Sequence, residues 1–586
     1  MAKKLACKVH ICAPTARIAY SIRKKQTFVG ERNLSKTLLM KETFLIRKIV
    51  RPVAILGVAL FAGLASGAPR VSAQSSWPTN ETFAAAGDDS ANWVLPAHDY
   101  TGNRYLPTAQ INTRNVASLK KAWTFKIDDD SPIETAPIAY NGMLFVTSAH
   151  NNVYALDAKT GEQKWKFSYS PHVIAFSANR GVALLDGKVY IGTLDGHLIA
   201  LDANTGAKVW DVVGVHDQTN TFYTMSPIPY KGMLLEGASN GDWGGIGYIT
   251  AFDAKTGNRV WEWNTVPGPG EPGHETWSGD SWKRGGAAVW SGIAIDQATD
   301  TLYMDLGNPQ PDFLGTVRKG SNLYSNSMVA LDISGSAPKL KWYYQFIPHD
   351  THDWDPAMPP VLFTGTVAGA QKQLVAAGDK GGNFWVLDAT TGKLVHHVVV
   401  STQKGQDTDP DAEGNLACPN TNGGIEYNGG SYMPETNTFY VPSVDECGIW
   451  KSNGHATYLA GQFYLGGAFP PLSGPNTGWF NAIDIGTGQF AWRKKMTLPA
   501  VGGALSLGTG VVFSGELDGT FDAFDAKTGN VLWKYATGSP ILAAPSSYSL
   551  GDKQYIVVAS GQPGNQTVPE VPKTSPAGSF ISAFAL

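Results

Sequence analysis

The chain has 586 residues and a net charge of −3, with 43% hydrophobic, 11% aromatic and only 16% charged residues, 65 Gly, 18 Trp and 4 Cys. Globular domains average about 25% charged residues, so a coiled coil, a helical solenoid or a disordered tail protein is excluded, since each needs abundant Ala, Glu and Lys. No basic excess calls for a nucleic-acid partner, and what remains is a set of short strands joined by tight turns, an all-β class that runs long as one unit.

The small net charge is an average over two unlike parts. Residues 1–73 hold 14 Lys/Arg and 2 Asp/Glu, a balance of +12, which leaves −15 on the other 513. Arg47, Lys48 and Arg51 precede an apolar run from Val53 to Ala65, and Val71-Ser72-Ala73 places small residues before Gln74. That order is an export signal. The run falls short of the about 20 residues a membrane span needs; an uncleaved anchor is the alternative. Met40 opens a more ordinary signal (MKETFLIRKIVRPVAILG), so residues 1–39 are expected to come from an upstream start codon. The mature domain is expected to be 74–586, periplasmic or secreted, with no stable membrane span. Cys7 and Cys12 fall in the discarded part. Cys418 and Cys447 remain, an even pair in an oxidising compartment, where a disulfide is expected. No CxxCH occurs, so no c-type haem is attached.

An internal repeat dominates the mature chain. It reads LDAKTGEQKW at Leu156–Trp165, LDANTGAKVW at Leu201–Trp210, FDAKTGNRVW at Phe252–Trp261, IDIGTGQFAW at Ile483–Trp492 and FDAKTGNVLW at Phe524–Trp533. LDISGSAPKLKW at Leu331–Trp342 and LDATTGKLVH at Leu387–His396 are weaker copies. Asp ends an apolar strand and caps the turn, Thr-Gly completes the reversal, and Trp ends the next strand and packs between neighbouring units. The shortest spacings of the aspartates, 45 and 41 residues, suit a four-stranded propeller blade. Seven copies, with Trp123 ahead of the first, predict an all-β, eight-bladed β-propeller. The long intervals 253–332 and 388–484 leave room for blades with decayed motifs, and IAIDQATDTLY (Ile293–Tyr303) reads as one. GSFISAFAL (Gly578–Leu586) is expected to pair with the N-terminal blade and close the ring, which removes exposed edges.

Three segments break the rhythm with polar residues: GASNGDWGGIGY (Gly237–Tyr248), TWSGDSWKRGGAAVW…LGNP (Thr276–Pro309) and PHDTHDWDP (Pro348–Pro356). They offer carboxylates at Asp242, Asp350, Asp353 and Asp355 and an amide at Asn308, oxygen ligands that suit a hard cation such as Ca²⁺. A surface loop rich in Asp reads similarly.

In order and spacing, these segments resemble the quinoprotein alcohol and methanol dehydrogenases. The resemblance begins with YTGNRYLPTAQINTRNVASLKKAWTF (Tyr100–Phe125), runs through TWSGDSWKRGG, GNPQPDF and PHDTHDWD, and ends with FSGELDGTFDAFDAKTGNVLWK (Phe513–Lys534). It implies an eight-bladed propeller that binds pyrroloquinoline quinone (PQQ) and a metal on its axis. Residue by residue, it implies quinone binding by Glu134, Arg180, Thr224, Ser239, Trp290 (the floor under the ring) and Lys380. It implies metal ligation by Asp242, Asn308 and Asp353, with Asp353 as catalytic base. Asp355 resembles the extra aspartate of lanthanide-dependent members, whereas Asp242 is shorter than the usual Glu, so Ca²⁺ and a lanthanide both stay open. The Cys418–Cys447 spacing matches a structural disulfide of the methanol enzymes.

Several positions depart from the family. Ile174-Ala175 stand where many members carry a vicinal Cys-Cys, Ala288 replaces a threonine, Val501 a tryptophan, and Glu426 an asparagine for which Asn428 is the nearest substitute. The activity implied is oxidation of an alcohol to an aldehyde, with electrons passed to a separate acceptor such as a cytochrome c. The acidic mature surface suits a basic redox partner. A cofactor-less binding or assembly scaffold, and a sugar or polymer dehydrogenase of the same chemistry, are the alternatives. The export reading is tested by Edman sequencing of the secreted protein: the expected start is near Gln74, and a mature start upstream of Met40 overturns the assignment of residues 1–39.

Overall fold

The repeat folds as its residues dictate. In the first copy Asp157 Oδ1 accepts the backbone N–H groups of Lys159 and Thr160, each at 3.0 Å, and Gly161 takes the left-handed turn at φ 73°. The same cap recurs at Asp202, Asp253, Asp388 and Asp525. The turns at Asp157, Asp202, Asp388 and Asp525 each receive a tryptophan from the preceding sheet. The Trp165 indole donates to the Ala203 carbonyl at 3.0 Å, and its ring lies where a Cβ on Gly206 would sit, 2.6 Å away. Gly is therefore required there twice over, for its positive φ and for the ring above it. Trp342 and Trp492 dock in the same way on Ala389 and Ala526. His396 replaces Trp in the weak copy and bonds Ile485 O at 2.8 Å.

The computed structural model describes residues 77–129, 131–171, 178–562 and 578–586, all within the unit Ala73–Leu586. The export segment and Ile174-Ala175 lie outside the described residues. The fold is an all-β propeller. Seven of its sheets take strands in chain order, over residues 138–167, 183–213, 228–264, 293–345, 361–399, 415–496 and 505–536, and each ends in one copy of the motif. Tyr105–Leu106 adds in parallel to the last of them. The repeat thus yields seven blades where eight were expected from it. The two long intervals hide no further blades: Ile293–Asp296 and Thr301–Leu306 are the first two strands of the sheet whose motif Asp is Asp332. The extra length is loop in the first interval; in the second it includes two long strands, Thr438–Ser452 and Leu472–Asp484, and two short ones added to the same sheet, Ser431–Met433 and Gly467–Ala468.

An eighth sheet has a different origin. Lys120–Ile127 pairs antiparallel with Ser579–Ala585, which continues into Lys553–Ser560 and Ser546–Leu550, as expected for the last strand. Trp533 docks on Leu119 O at 3.0 Å and Trp123 on Ala158 O at 3.1 Å, so this sheet joins the neighbours on both sides.

Burial falls from the first strand of a sheet to the fourth. Ile138–Tyr140 is wholly buried, whereas Gln163–Phe167 is largely exposed or half-buried; the first strands therefore line the axis. Cys418 and Cys447 form a disulfide. Among the described residues no helix is long and apolar enough to cross a membrane.

Trp165→Ala removes a docking ring and its hydrogen bond, and is expected to cost about 3–5 kcal/mol. Urea unfolding checks this; a loss below about 1 kcal/mol, the size of a surface effect, overturns the docking role.

Candidate active site

Strand direction places the polar loops together. The connection from second to third strand and the connection from one sheet to the next both follow a strand running the same way, so both kinds emerge at one end of the ring. Asp242 lies between Met233–Gly237 and Tyr248–Asp253, Asn308 and Asp312 follow Thr301–Leu306, and Lys380 follows Ala370–Gly378. Glu134, Arg180, Thr224, Trp290, Asp353 and Asp355 sit in connections leading to the next sheet. Every candidate thus faces the same end.

The loop carrying Asp353 is built around Asp350. The Asp350 carboxylate accepts His352 N–H at 2.9 Å and Trp354 N–H at 2.8 Å, and Arg318 donates to its carbonyl. His352 stacks on Trp354 with ring centroids 4.2 Å apart. Together these contacts hold Asp353 at φ 56°, a conformation that costs a non-glycine residue about 1–2 kcal/mol. Asp350 is the loop's scaffold.

Lys380 joins the two aspartates beyond it. Its Nζ lies 3.1 Å from Asp353 Oδ1 and 3.3 Å from Asp355 Oδ2. Asp355 also accepts the Trp290 indole N–H at 2.9 Å and the Asn308 backbone N–H at 2.6 Å. Three donors therefore hold Asp355. Burial opposes the charge on Lys380, but Asp353 and Asp355 keep its pKa well above the usual lysine value. Burial pushes the Asp353 carboxyl well above the usual range while Lys380 pulls it back. Burial raises Asp242 to about 6, again against Lys380, and Glu426 to about 7.

The second half of the site is a cationic and aromatic face. Arg180 pairs with Glu134 at 2.8 Å and donates to Trp290 O at 3.2 Å. Its guanidinium lies 4.9 Å from the Trp290 ring and 4.3 Å from the Tyr427 ring, and Lys380 Nζ lies 5.5 Å from Trp290. Thr224 Oγ1 contacts Ser239 Oγ at 2.8 Å and donates to Trp290 O at 3.0 Å. A cavity of about 60 Å³ borders Glu134, Arg180 and Tyr427 on the side of residues 95–104. Ala288 is buried beside Gly241 and Gly307. Val501 packs in an apolar cluster with Val444, Leu498, Leu517 and Leu542. Asn428 is no substitute for Glu426, because its amide is committed to the carbonyls of Val501 and Leu542.

Two residues escape the sequence reading. Asp312, within GNPQPDF, brings its carboxylate together with those of Asp242 and Asp353, all within 4.8 Å of one another. Tyr427, between Glu426 and Asn428, covers Arg180. Neither belongs to a repeat, and only the folded loops reveal their place.

The residues fit a hard cation and an anionic aromatic cofactor. Asp242, Asp312 and Asp353 are oxygen donors, and the Asn308 amide oxygen faces Gly241 beside Asp242. Both oxygens of Asp312, Nδ2 of Asn308 and Nε of Arg180 are buried without a hydrogen-bond partner, a costly state that a bound group relieves. An indole face flanked by Arg180 and Lys380 suits a flat, negatively charged ring.

Comparison with known proteins gives the same direction. The model of the PQQ glucose/ethanol/alcohol dehydrogenase β-propeller domain matches residues 93–403 and 400–556. The quinohemoprotein alcohol dehydrogenase of Comamonas testosteroni is 32% identical over 523 residues, 81% of this chain and 73% of that protein. Quinoprotein alcohol dehydrogenase PedH of Pseudomonas putida is 31% identical over 560 residues, 88% of this chain and 92% of its own length. A solved europium-containing methanol dehydrogenase superposes with a TM-score of 0.79 at 30% identity, covering 86% of this chain and all of that one. The chain belongs to the PQQ-dependent quinoprotein alcohol dehydrogenases, an oxidoreductase family.

Proposed function

We propose that the protein is an exported dehydrogenase that oxidises an alcohol to an aldehyde and passes the electrons to a separate acceptor. In this reading the seven repeat sheets and the terminal sheet make eight blades about one axis. The observation that carries the proposal is the Lys380–Asp353 pair beside the Trp290 face, next to the carboxylates of Asp242 and Asp312.

Bound there, PQQ supplies a two-electron hydride acceptor, and a hard cation supplies a Lewis acid for its carbonyl. Trp290 offers the stacking face. Arg180, Thr224 and Ser239 provide donors for the cofactor's anionic edge, and Glu134 orients Arg180. Lys380 holds Asp353 and Asp355 in register. Asp353 takes the hydroxyl proton of the alcohol as general base, and PQQ held on the Trp290 face would supply the acceptor for the hydride on the carbon that bears that hydroxyl. The named relatives support this substrate class, and the europium-containing neighbour supports a lanthanide beside Ca²⁺ as the cation. The charge of −15 on residues 74–586 favours a basic electron acceptor such as a cytochrome c. A scaffold without cofactor gives no reason for the buried, unpartnered atoms of Asp312, Asn308 and Arg180.

Protein mixed with PQQ and Ca²⁺ or a lanthanide is expected to show a bound-quinone spectrum and to reduce dye with alcohols. Asp353→Asn should retain the spectrum and lose turnover by about 10²-fold or more, the usual weight of a positioned base; turnover near wild type rejects Asp353 as the base. Absence of both bound quinone and dye reduction in the wild type defeats the whole reading.

The pH dependence has a definite sign. Asp353 acts only when ionised, and burial raises its pKa, so kcat is expected to rise with pH and to fall away on the acid side. Lys380→Met removes the group that pulls the Asp353 pKa back. The acid limb of its kcat profile should therefore move to higher pH, and an unmoved limb rejects the coupling.

A further inference from the structure

We infer that Asp312 is a metal ligand, the third carboxylate of a centre that this chain charges for a trivalent cation. The inference rests on the proposed metal reading and deepens it.

Asp312 lies in the loop after Thr301–Leu306, four residues beyond Asn308. Its side chain has no exposure, and neither carboxylate oxygen has a hydrogen-bond donor. A buried carboxylate in that state is expensive unless something of opposite charge meets it. Arg318, the nearby cation, does not do so: its guanidinium groups bond the carbonyls of Pro311, Asp312 and Asp350 and the Asn322 amide. What Asp312 does face is carboxylate oxygen, from Asp242 and Asp353. Ligand oxygens at about 2.5 Å from one hard ion lie up to about 5 Å apart, and this trio lies within 4.8 Å. The three side chains bring three negative charges to one point.

Asp355 stands differently. Trp290, the Asn308 N–H and Lys380 all donate to it. Lys380 lies between Asp353 and Asp355 and offsets one of the carboxylates. Asp242, Asp312, Asp353 and Asp355 together with Lys380 therefore leave three negative charges for the ion to balance. That net charge matches a trivalent ion, since ligand charge count governs affinity at such sites.

The test uses the full mature protein with PQQ and Tb³⁺. Asp312→Asn keeps the shape of the side chain and removes its charge. Tb³⁺ affinity is expected to fall by about 100-fold or more, beyond the 10- to 100-fold that changes outside the ligand shell cost. Luminescence lifetimes in H₂O and D₂O should show about one additional water on the ion in Asp312→Ala, which has no oxygen to offer in its place. Metal-free Asp312→Asn should melt at a higher temperature than metal-free wild type, because the cost of burying a carboxyl against two others is gone, while its Tb³⁺-induced rise in Tm shrinks. A structural carboxylate would instead lower the Tm with and without metal. Unchanged affinity in Asp312→Asn, unchanged hydration in Asp312→Ala, or a lower metal-free Tm in Asp312→Asn overturns the assignment of Asp312 while leaving the metal reading intact. Failure of wild type to bind Tb³⁺ overturns both.

Discussion

The docking of a tryptophan on the next sheet's turn is the contact on which the rest depends. A propeller sheet cannot cover both of its faces alone, and here the indole both fills the gap and bonds the neighbour's backbone. The turn glycine answers it from the other side. Because this lock sits on the outer strands, the inner strands are free to end in loops of any sequence. The axis can then hold residues that no self-sufficient core would tolerate.

Those residues are costly. Asp242, Asp312, Asp353, Asp355 and Glu426 are all gathered within the site, with Lys380 and Arg180 as the cations among them. Burial raises the pKa of every one of these carboxyl groups above its ordinary value. Strain is added by the left-handed backbone of Asp353. Such a site lowers the stability of the protein without its bound groups and raises their affinity, since whatever they neutralise is restored on binding. The ring supplies the stability that the site consumes.

The sequence makes the ring legible and the site only in part. Asp-x-x-Thr-Gly followed by Trp is local chemistry, so each copy marks one sheet. Ile293–Tyr303 is no lost blade, because interval length does not measure strand content: its two strands open the sheet that ends in the Asp332 copy. Residues 253–332 are long because they carry Trp290, Asn308 and Asp312 in loops. The terminal sheet has no Asp-x-x-Thr-Gly copy, since it is assembled from both ends of the domain; Trp123 is its one mark. Asp353 and Lys380 stand in strings that can be matched one by one, whereas Asp312 gains meaning only when loops 70 and 41 residues away along the chain fold beside it. Tyr427 is silent for the same reason.

The terminal sheet has a consequence for how the molecule comes into being. Thr124 and Ser582 touch across 458 residues, so Lys120–Ile127 is synthesised early and must wait for its partner strand. Until then two sheet edges stay open, in a topology whose long-range pairing is intrinsically slow and prone to stray association. A chain of this design therefore benefits from a factor that keeps it unfolded until the closing strand is available. Its assembly is set by arrival of the final segment and not by the early repeats, however well each of them is formed.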